Sequence, residues 1–526
     1  MGSVNSLREQ LKYEVVPLKF GTSGRRGKVV DLTQLEIYTN VTGEIEYLLS
    51  LESSKGGISK GDDFYFAYDL RPSSTELVEN GRGGIAQAVV QAASDNGLTA
   101  INLGAIPTPA QSYTLRSKRY KLNTSRGELL KKDEAPINAS VERVRERLLE
   151  QSANESLFDQ QGRLRSGNTD LPKVLGDGRD AYIKRYLDFF PNQPLAGLKL
   201  LVYQHSAVGR DVVVEILSQL GAKCTPAGRS STFVPIDTEA VDVEQLDTIQ
   251  KLIDATGHSF DAVVSTDGDS DRPLLVAPDG NGNGNKGLRF FGGDLLGMIV
   301  AEYLGTDAVV VPISSNDAID RGALASVLEP KTKIGSPYVI AGMETATKSG
   351  RRRVCGWEAN GGFLTASDIE RDGNVLKALP TRDAVLPLLC VLSAAKQRKL
   401  SVPELFATLP ARYSRASLLR NFARSASLRI LARFSQDQPL EDTKKELLSI
   451  FTKDQGFSEI SRIDYTDGLR LIFENGDVAH VRPSGNADEL RIYAVADTQA
   501  RADEIVEMGI KQPDGLLRLL EKVSSE

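Results

Sequence analysis

Three aspartates, Asp267, Asp269 and Asp271, lie within five positions of the segment STDGDSDRPL (265–274). Like charges this close repel one another, and carboxylates at alternate positions of an extended loop point to the same side. Mg²⁺ takes oxygen ligands of this type and completes its shell with water or phosphate. An EF-hand is excluded, because it needs glycine and glutamate where Arg272 and Pro278 stand. The segment therefore predicts a Mg²⁺ site, and the alternative is an acidic surface turn.

Two further segments suit an anionic sugar ligand. The glycine-rich KFGTSGRRGKV (19–29) offers backbone N–H groups and two guanidinium groups to an anion. The loop GWEANGG (356–362) places the Glu358 carboxylate and the Asn360 amide among glycines, where they can hydrogen-bond vicinal sugar hydroxyls. Taken alone, each segment is also compatible with an ordinary turn.

The segment VRPSGNADELRIY (481–493) is a candidate phosphate-binding loop between two strands. Its donors are the side chains of Arg482, Ser484 and Asn486, the backbone N–H groups of Ser484 and Gly485, and Arg491, which can close the cradle. The alternative is a surface hairpin with incidental arginines.

Two patterns are set aside as coincidental. GNGNKG (282–287), followed by Glu302, matches a dinucleotide-binding spacing, but it is rich in asparagine and does not open into a helix. His205 and Ser206 are adjacent, and sequence adjacency does not give the geometry of a nucleophile and its base. We expect a loop at the first and a strand-end turn at the second.

The elements that position these segments alternate between strands and helices. Strands are predicted at 195–204, 261–268, 307–316 and within 354–364, with helices at 141–149, 180–190, 211–223 and 294–305. Each predicted strand ends in a polar or glycine-rich loop, where ligands of open α/β folds bind. From about residue 410 the pattern changes to a hairpin (468–473 and 477–485), a strand (489–496) and a final helix, which indicates a separate α+β domain.

Composition limits the class of protein. The 526 residues predict three or four domains. The net charge of −6 argues against nucleic-acid binding, and no apolar run reaches the length of a membrane span. Three dispersed cysteines, none in a CxxC pair, indicate a reducing compartment, so a cytoplasmic location is expected.

In this order, the segments resemble the α-D-phosphohexomutase family, which includes phosphomannomutases and phosphoglucomutases. FGTSGRRG is similar to the family's FGTSGxRG, PTPA (107–110) to its PTPA, and TDGDSDR to its metal loop DGDGDR. GWEANGG stands where the family has GExSG, and RPSGNADELRIY is similar to RxSGTEPxxRxY. The resemblance covers nearly the whole chain and is closest to the phosphomannomutase branch.

The resemblance implies three similar α/β domains with mixed sheets and a C-terminal α+β domain around a central cleft. The expected domains are 1–192, 193–300, 301–409 and 410–526. The implied activity is transfer of phosphate between C1 and C6 of mannose or glucose phosphate, through a hexose 1,6-bisphosphate, by a monomer or homodimer.

The resemblance also implies roles for the individual residues. Asp267, Asp269 and Asp271 would bind Mg²⁺, while Arg26 and Arg272 would lie at the transferring phosphate. Glu358 and Asn360 would bind sugar hydroxyls. The second, non-reacting phosphate would be held by Arg482, Ser484, Gly485, Asn486 and Arg491.

The family's phosphoserine loop is missing from this sequence. That loop follows PTPA and contains a Ser-His pair, whereas segment 106–137 has none and the only histidines are His205, His258 and His480. Ser112, Ser117, Thr124 and Ser125 lie nearby, but none has the family's local sequence. Without this strand and loop, exposed strand edges of the first domain must be re-paired or covered. The alternatives to an active mutase are an inactive sugar-phosphate-binding homologue and a truncated form of an active enzyme.

Overall fold

The computed structural model describes residues 5–20, 24–78, 81–114, 123–124, 127–128, 131–165, 170–239, 241–279, 287–484 and 488–525. Predictions for Gly485, Asn486, Ser117, Ser125 and most of GNGNKG therefore lie outside the described residues. The description of Thr124 is confined to its backbone. No helix of the described residues has the length and apolar run needed to cross a bilayer.

The first domain packs helices around a small parallel sheet. Its elements are α1 (Leu7–Gln10), β1 (Lys19–Phe20), β2 (Arg25–Arg26), α2 (Gln34–Leu49), β3 (Asp63–Tyr68), α3 (Pro72–Thr75), β4 (Leu77–Val78), β5 (Arg82–Gly83), α4 (Ile85–Asp95), β6 (Thr99–Ala105), α5 (Thr108–Thr114), β7 (Asn123–Thr124), β8 (Gly127–Glu128), α6 (Lys131–Glu150) and α7 (Asp177–Phe189). In the described residues the central sheet has two strands, β3 and β6.

An extended segment lies along the edge of β6. The Leu175 N–H donates to the Asn102 carbonyl at 2.7 Å, and the Asn102 amide donates to the Pro172 carbonyl at 2.8 Å. Val174 packs against Gly104, where an added Cβ would lie 2.8 Å from its side chain. This segment thus covers the edge of β6, which would otherwise be exposed because the described sheet has only two strands.

The second domain has a five-stranded mixed sheet of order β10-β9-β11-β12-β13, in which β10, β9 and β11 are parallel. Its elements are β9 (Lys199–Tyr203), α8 (Arg210–Gln219), β10 (Lys223–Ala227), α9 (Val243–Thr256), β11 (Ala262–Thr266), β12 (Pro273–Pro278), β13 (Leu288–Phe290) and α10 (Gly293–Leu304). The helix predicted at 211–223 ends at Gln219, because Gly221 adopts a left-handed turn (φ 96°) before β10 begins.

The third domain has a four-stranded sheet of order β14-β15-β16-β19. Its elements are β14 (Ala308–Val310), α11 (Ser336–Lys348), β15 (Val354–Trp357), β16 (Phe363–Thr365), β17 (Ile369–Arg371), β18 (Asn374–Leu376), β19 (Leu379–Asp383), α12 (Val385–Arg398) and α13 (Val402–Phe406). The strand predicted at 307–316 is limited to β14, and Pro312, which has no N–H to donate to a sheet, follows closely. The expected domain boundary at residue 300 lies inside α10, the helix that connects the second and third domains.

The fourth domain is built on an antiparallel sheet of order β20-β24-β23-β22-β21. Its elements are β20 (Tyr413–Arg420), α14 (Arg424–Arg433), α15 (Leu440–Leu448), β21 (Ile460–Asp464), β22 (Leu469–Phe473), β23 (Val478–Pro483), β24 (Glu489–Ala496), α16 (Gln499–Ile510) and α17 (Leu516–Val523). It has its own hydrophobic core, whereas one continuous core joins residues of the first three domains. The predicted change from α/β to α+β is therefore confirmed.

Candidate active site

The three aspartates lie in the turn between β11 and β12 of the second domain. The Asp267 carboxylate closes this turn, because its Oδ1 accepts the N–H groups of Asp271 and Arg272 at 3.1 Å each. Ser270 adopts a left-handed conformation (φ 59°), and its hydroxyl oxygen accepts hydrogen bonds from the Gly209 N–H and the Thr266 hydroxyl. These bonds hold the turn in a shape that glycine would adopt more easily.

The arrangement of the carboxylates fits a small divalent cation. One oxygen atom from each of Asp267, Asp269 and Asp271 lies within 4.8 Å of the others. Asp271 is 1% exposed, and its Oδ1 makes no hydrogen bond, although the Arg272 Nε lies 3.6 Å away. Burial raises the pKa of Asp267 well above its usual range, and the charges of Asp271 and Asp269 raise it further. A bound cation would remove this repulsion and occupy the unused oxygen.

Arg382 is a component of the site that the sequence analysis missed. It lies on β19 of the third domain, and its Nε and Nη2 both donate to the Asp271 Oδ2, at 2.8 and 2.6 Å. Its Nη1 lies 3.6 Å from the Glu358 Oε2. The same guanidinium group therefore connects the metal loop with the loop expected to bind sugar. The signal in the sequence was the charged pair Arg382-Asp383, within the otherwise mainly apolar segment that leads into α12.

Arg26 and Arg272 face the same carboxylates. Desolvation lowers the pKa of Arg26, as do the charges of Arg272 and Arg382, while Asp269 and Asp271 oppose this shift. The neighbouring Arg25 has a different role, since it forms an ion pair with the buried Glu44 at 2.9 Å. The site is thus a group of carboxylates surrounded by cationic side chains, a combination that suits a metal ion together with an anionic ligand.

A threonine of the first domain also contacts the metal loop. The Thr108 hydroxyl donates to the Asp269 Oδ2 at 3.3 Å, and the Thr108 N–H donates to the Asp269 carbonyl at 3.0 Å. This residue begins α5 within the PTPA motif, but no local pattern pointed to a role for it, because 161 positions separate the two partners.

The loop around Glu358 is fixed from two sides. Glu358 and Asn360 are buried, and the Asn360 Oδ1 accepts the Gly362 N–H at 3.0 Å. The Thr238 hydroxyl of the second domain donates to the Asn360 carbonyl. The Asn360 Oδ1 therefore stabilises the turn, so the predicted hydrogen bond to sugar would be made by the Asn360 Nδ2.

Arg482, Ser484 and Arg491 form a second group, on β23, β24 and their connection. Arg482 and Arg491 are paired across the two strands, and the Arg482 Nε donates to Asp467 at 2.9 Å. The same Asp467 oxygen accepts the Ile334 N–H of the third domain, so Asp467 links this group to its neighbour. Ser484 is buried, and its N–H donates to the Glu489 carbonyl.

The pair set aside in the sequence has structural contacts. The buried His205 donates from Nε2 to the Thr266 carbonyl at 2.7 Å, and burial lowers its pKa. The Ser206 hydroxyl oxygen accepts the Val234 N–H. Both side chains hydrogen-bond to backbone groups and do not pair as nucleophile and base.

Comparison with known proteins accounts for all four domains. Sequence profiles of phosphoglucomutase/phosphomannomutase match at residues 17–126 (alpha/beta/alpha domain I), 180–281 (alpha/beta/alpha domain II), 292–413 (alpha/beta/alpha domain III) and 432–512 (C-terminal domain). A phosphomannomutase of Sinorhizobium fredii is 33% identical over 94% of this chain and 98% of its own length. The chain belongs to the phosphoglucomutase/phosphomannomutase family.

A second relative carries the same name, and two solved structures share the fold. A phosphomannomutase of Salmonella muenchen is 34% identical over 94% of this chain and 96% of its own length. A phosphoglucomutase/phosphomannomutase family protein from Burkholderia thailandensis has a TM-score of 0.60, with 15% identity and 94% of each chain covered. An N-acetylphosphoglucosamine mutase of Aspergillus fumigatus, solved with GlcNAc-6P and magnesium, has a TM-score of 0.59, with 15% identity and 99% and 98% of the two chains covered. The resemblance inferred from the motifs is therefore confirmed, and so is the four-domain α/β fold.

Proposed function

We propose that this chain is a hexose-phosphate mutase, which moves a phosphate between C1 and C6 of mannose or glucose phosphate at a Mg²⁺ centre. The observation that carries the proposal is the position of Arg382, which contacts both a metal-loop aspartate and Glu358. A sugar bound at Glu358 would thereby lie next to the carboxylates. The names of the bacterial relatives, phosphomannomutases at 33–34% identity, support the same substrate class.

Each group of residues has a role in this proposal. Arg26 and Arg272 bind the phosphate that is transferred, and Glu358 and Asn360 bind sugar hydroxyls. Mg²⁺ held by Asp267, Asp269 and Asp271 neutralises the charge of that phosphate when it is bound. The residues assigned to the other phosphate are Arg482, Ser484, Gly485, Asn486 and Arg491.

The electrostatics of the site favour phosphoryl transfer over simple sugar binding. Positioned cations stabilise the charge on the oxygens of the transferring group, and this accounts for most of the catalysis in such reactions.

The three cysteines are free in the structure, which supports a reducing, cytoplasmic location. Because each protomer carries both site groups on one chain, we propose that a monomer or a homodimer is active.

A coupled assay tests this function. Purified protein is incubated with mannose 1-phosphate or glucose 1-phosphate, Mg²⁺ and a trace of glucose 1,6-bisphosphate, and formation of the 6-phosphate is followed. We expect turnover by the wild type and by Asp254→Asn, whose carboxylate lies on the exposed face of α9, and at least a hundredfold loss in Asp271→Asn. Bisphosphate binding without turnover would contradict the proposal and support the sugar-phosphate-binding homologue.

A further inference from the structure

The proposed mutase needs a group on the protein to carry the phosphoryl group between the two ends of the sugar. The family's Ser-His loop is absent from segment 106–137, so another hydroxyl must serve if the chain turns over. The following inference rests on the proposed function and concerns the identity of that group.

Thr108 lies where such a hydroxyl is needed. Its Oγ1 is 3.3 Å from the Asp269 Oδ2, and its N–H bond to the Asp269 carbonyl fixes the backbone against the metal loop. Pro107 and Pro109 flank it, and each proline restricts the local backbone. The Thr108 side chain is partly exposed, in contrast to the buried side chains around it.

Other described hydroxyls near the site are engaged elsewhere. Ser112 lies one helical turn further along α5, and its hydroxyl donates to the Thr108 carbonyl at 3.2 Å. Ser270 and Thr266 are 1% and 2% exposed and hydrogen-bond to each other beneath the metal loop. Thr108 therefore combines contact with a metal-loop carboxylate and access to solvent.

We propose that Thr108 is the phosphoryl carrier of this chain. The Thr108 Oγ1 attacks the phosphorus of a hexose 1,6-bisphosphate, the P–Oγ1 bond forms, and the bond from phosphorus to the sugar oxygen breaks. The Oγ1 proton passes through a phosphoryl oxygen to the departing sugar oxygen, so the sugar leaves with a free hydroxyl. The hydrogen bond to the Asp269 Oδ2 holds the Thr108 hydroxyl in place before the attack. The reverse step returns the phosphoryl group to either end of the sugar. Arg26 and Arg272 balance the charge during both steps.

Intact mass and phosphopeptide mapping test the proposal directly. The full chain is incubated with glucose 1,6-bisphosphate and Mg²⁺, and the expected result is one added phosphoryl group on the peptide that contains Thr108. Thr108→Val removes the hydroxyl at nearly constant volume and should abolish the label. Thr108→Ser should keep it, and Ser112→Ala, one turn away on the same helix, should label like the wild type.

Two results would overturn the proposal. Label on any other residue would identify a different carrier, and binding of the bisphosphate by calorimetry without label in the wild type would show that Thr108 does not accept the group. Failure of the proposed function itself is recognised separately in the coupled assay, where the wild type would bind the bisphosphate but form no 6-phosphate. Missing label in a chain that does turn over refutes the Thr108 carrier alone. Equal unfolding temperatures of Thr108→Val and the wild type are checked first, so that loss of label reports chemistry.

Discussion

At Asp271, one carboxylate oxygen accepts two N–H groups of Arg382 while the other makes no hydrogen bond. Both side chains are almost completely buried, at 2% and 7% exposure. The Oδ1 atom is therefore available to a cation, while the hydrogen bonds to Oδ2 orient the carboxylate. Arg382 is thus a positioning residue for the metal loop, and also brings that loop to Glu358.

Arg382→Met should destabilise the protein. Removing one partner of a buried pair leaves an uncompensated charge, which costs about 3–5 kcal/mol. Urea unfolding of the metal-free chain, in EDTA, measures the loss. Arg420→Met, at an exposed arginine on β20, should change stability by less than about 0.5 kcal/mol. The double variant Arg382→Met with Asp271→Asn should recover part of the loss, because both charges are removed. A loss below about 1 kcal/mol in the single variant would contradict the burial argument.

Site residues that are close together in the sequence could be predicted from it, whereas those whose partners are far along the chain could not. The spacing of Asp267, Asp269 and Asp271 was sufficient to predict that their carboxylates lie together, since all three fall in one turn. Arg382 and Thr108 were missed because their partners lie 111 and 161 positions away. A contact of that kind depends on how whole domains pack, which local pattern does not encode.

At the scale of elements, the N-terminus of α10 supports the sugar loop by close backbone contact. A Cβ on Gly293 would lie 2.1 Å from the Gly361 nitrogen and 2.5 Å from the Ala359 carbonyl oxygen. Neither backbone atom can move aside without displacing the loop that carries Glu358. The helix and the loop therefore fit only while residue 293 has no side chain.

Gly293→Ala should weaken hexose-phosphate binding by about tenfold, which corresponds to about 1.4 kcal/mol. The neighbouring Gly292→Ala is a matched control, because a Cβ there would meet nothing within 4 Å. Calorimetric titration with glucose 6-phosphate in the presence of Mg²⁺ measures both variants. Equal affinities in the two would show that the sugar loop does not depend on this contact.

The order of strands and helices was largely predicted by hydrophobic pattern. The hairpin and last strand of the fourth domain were placed within two residues, because the turn Asn475-Gly476 fixes their register. The short β14 and the strand β10 were not. Pro312 lacks the N–H that a longer β14 would need, and the turn at Gly221 ends the predicted helix before β10 begins. Local apolar character indicates burial more reliably than it indicates where a strand stops.

At the scale of the whole molecule, stability should depend on pH through the fourth domain. Burial lowers the pKa of His480 from 6.5 to about 4 in the folded protein. Between these values the unfolded chain binds a proton that the folded chain does not, so stability falls as the pH is lowered. The loss attributable to this residue is about 2–4 kcal/mol by pH 4.

Two histidines, one buried and one exposed, allow this prediction to be tested. His480→Gln keeps a donor for the Asp467 carbonyl, and its unfolding temperature should fall less between pH 6.5 and 4.5 than that of the wild type. His258→Gln replaces an exposed histidine and should follow the wild type. Parallel curves for all three proteins would show that another group is responsible for acid sensitivity.

The domains meet at the site, so its function is a property of their assembly. Thr108 comes from the first domain, the aspartates from the second and Arg382 from the third. The sequence motifs predicted the family and the order of the four domains. They did not predict how the first domain folds around its short sheet, which only the structure shows. Its edge is covered by segment 171–175, which no motif predicted.

The most direct test of the proposed Mg²⁺ centre is whether a metal ion at the aspartate cluster strengthens the binding of sugar phosphate. Glucose 1,6-bisphosphate is titrated calorimetrically into the protein with Mg²⁺ and with EDTA, for the wild type, Asp271→Asn and the control Asp254→Asn. We expect Mg²⁺ to strengthen binding at least tenfold, about 1.4 kcal/mol, in the wild type and the control, and to leave the affinity of Asp271→Asn unchanged. The same affinity with and without Mg²⁺ in the wild type would contradict it.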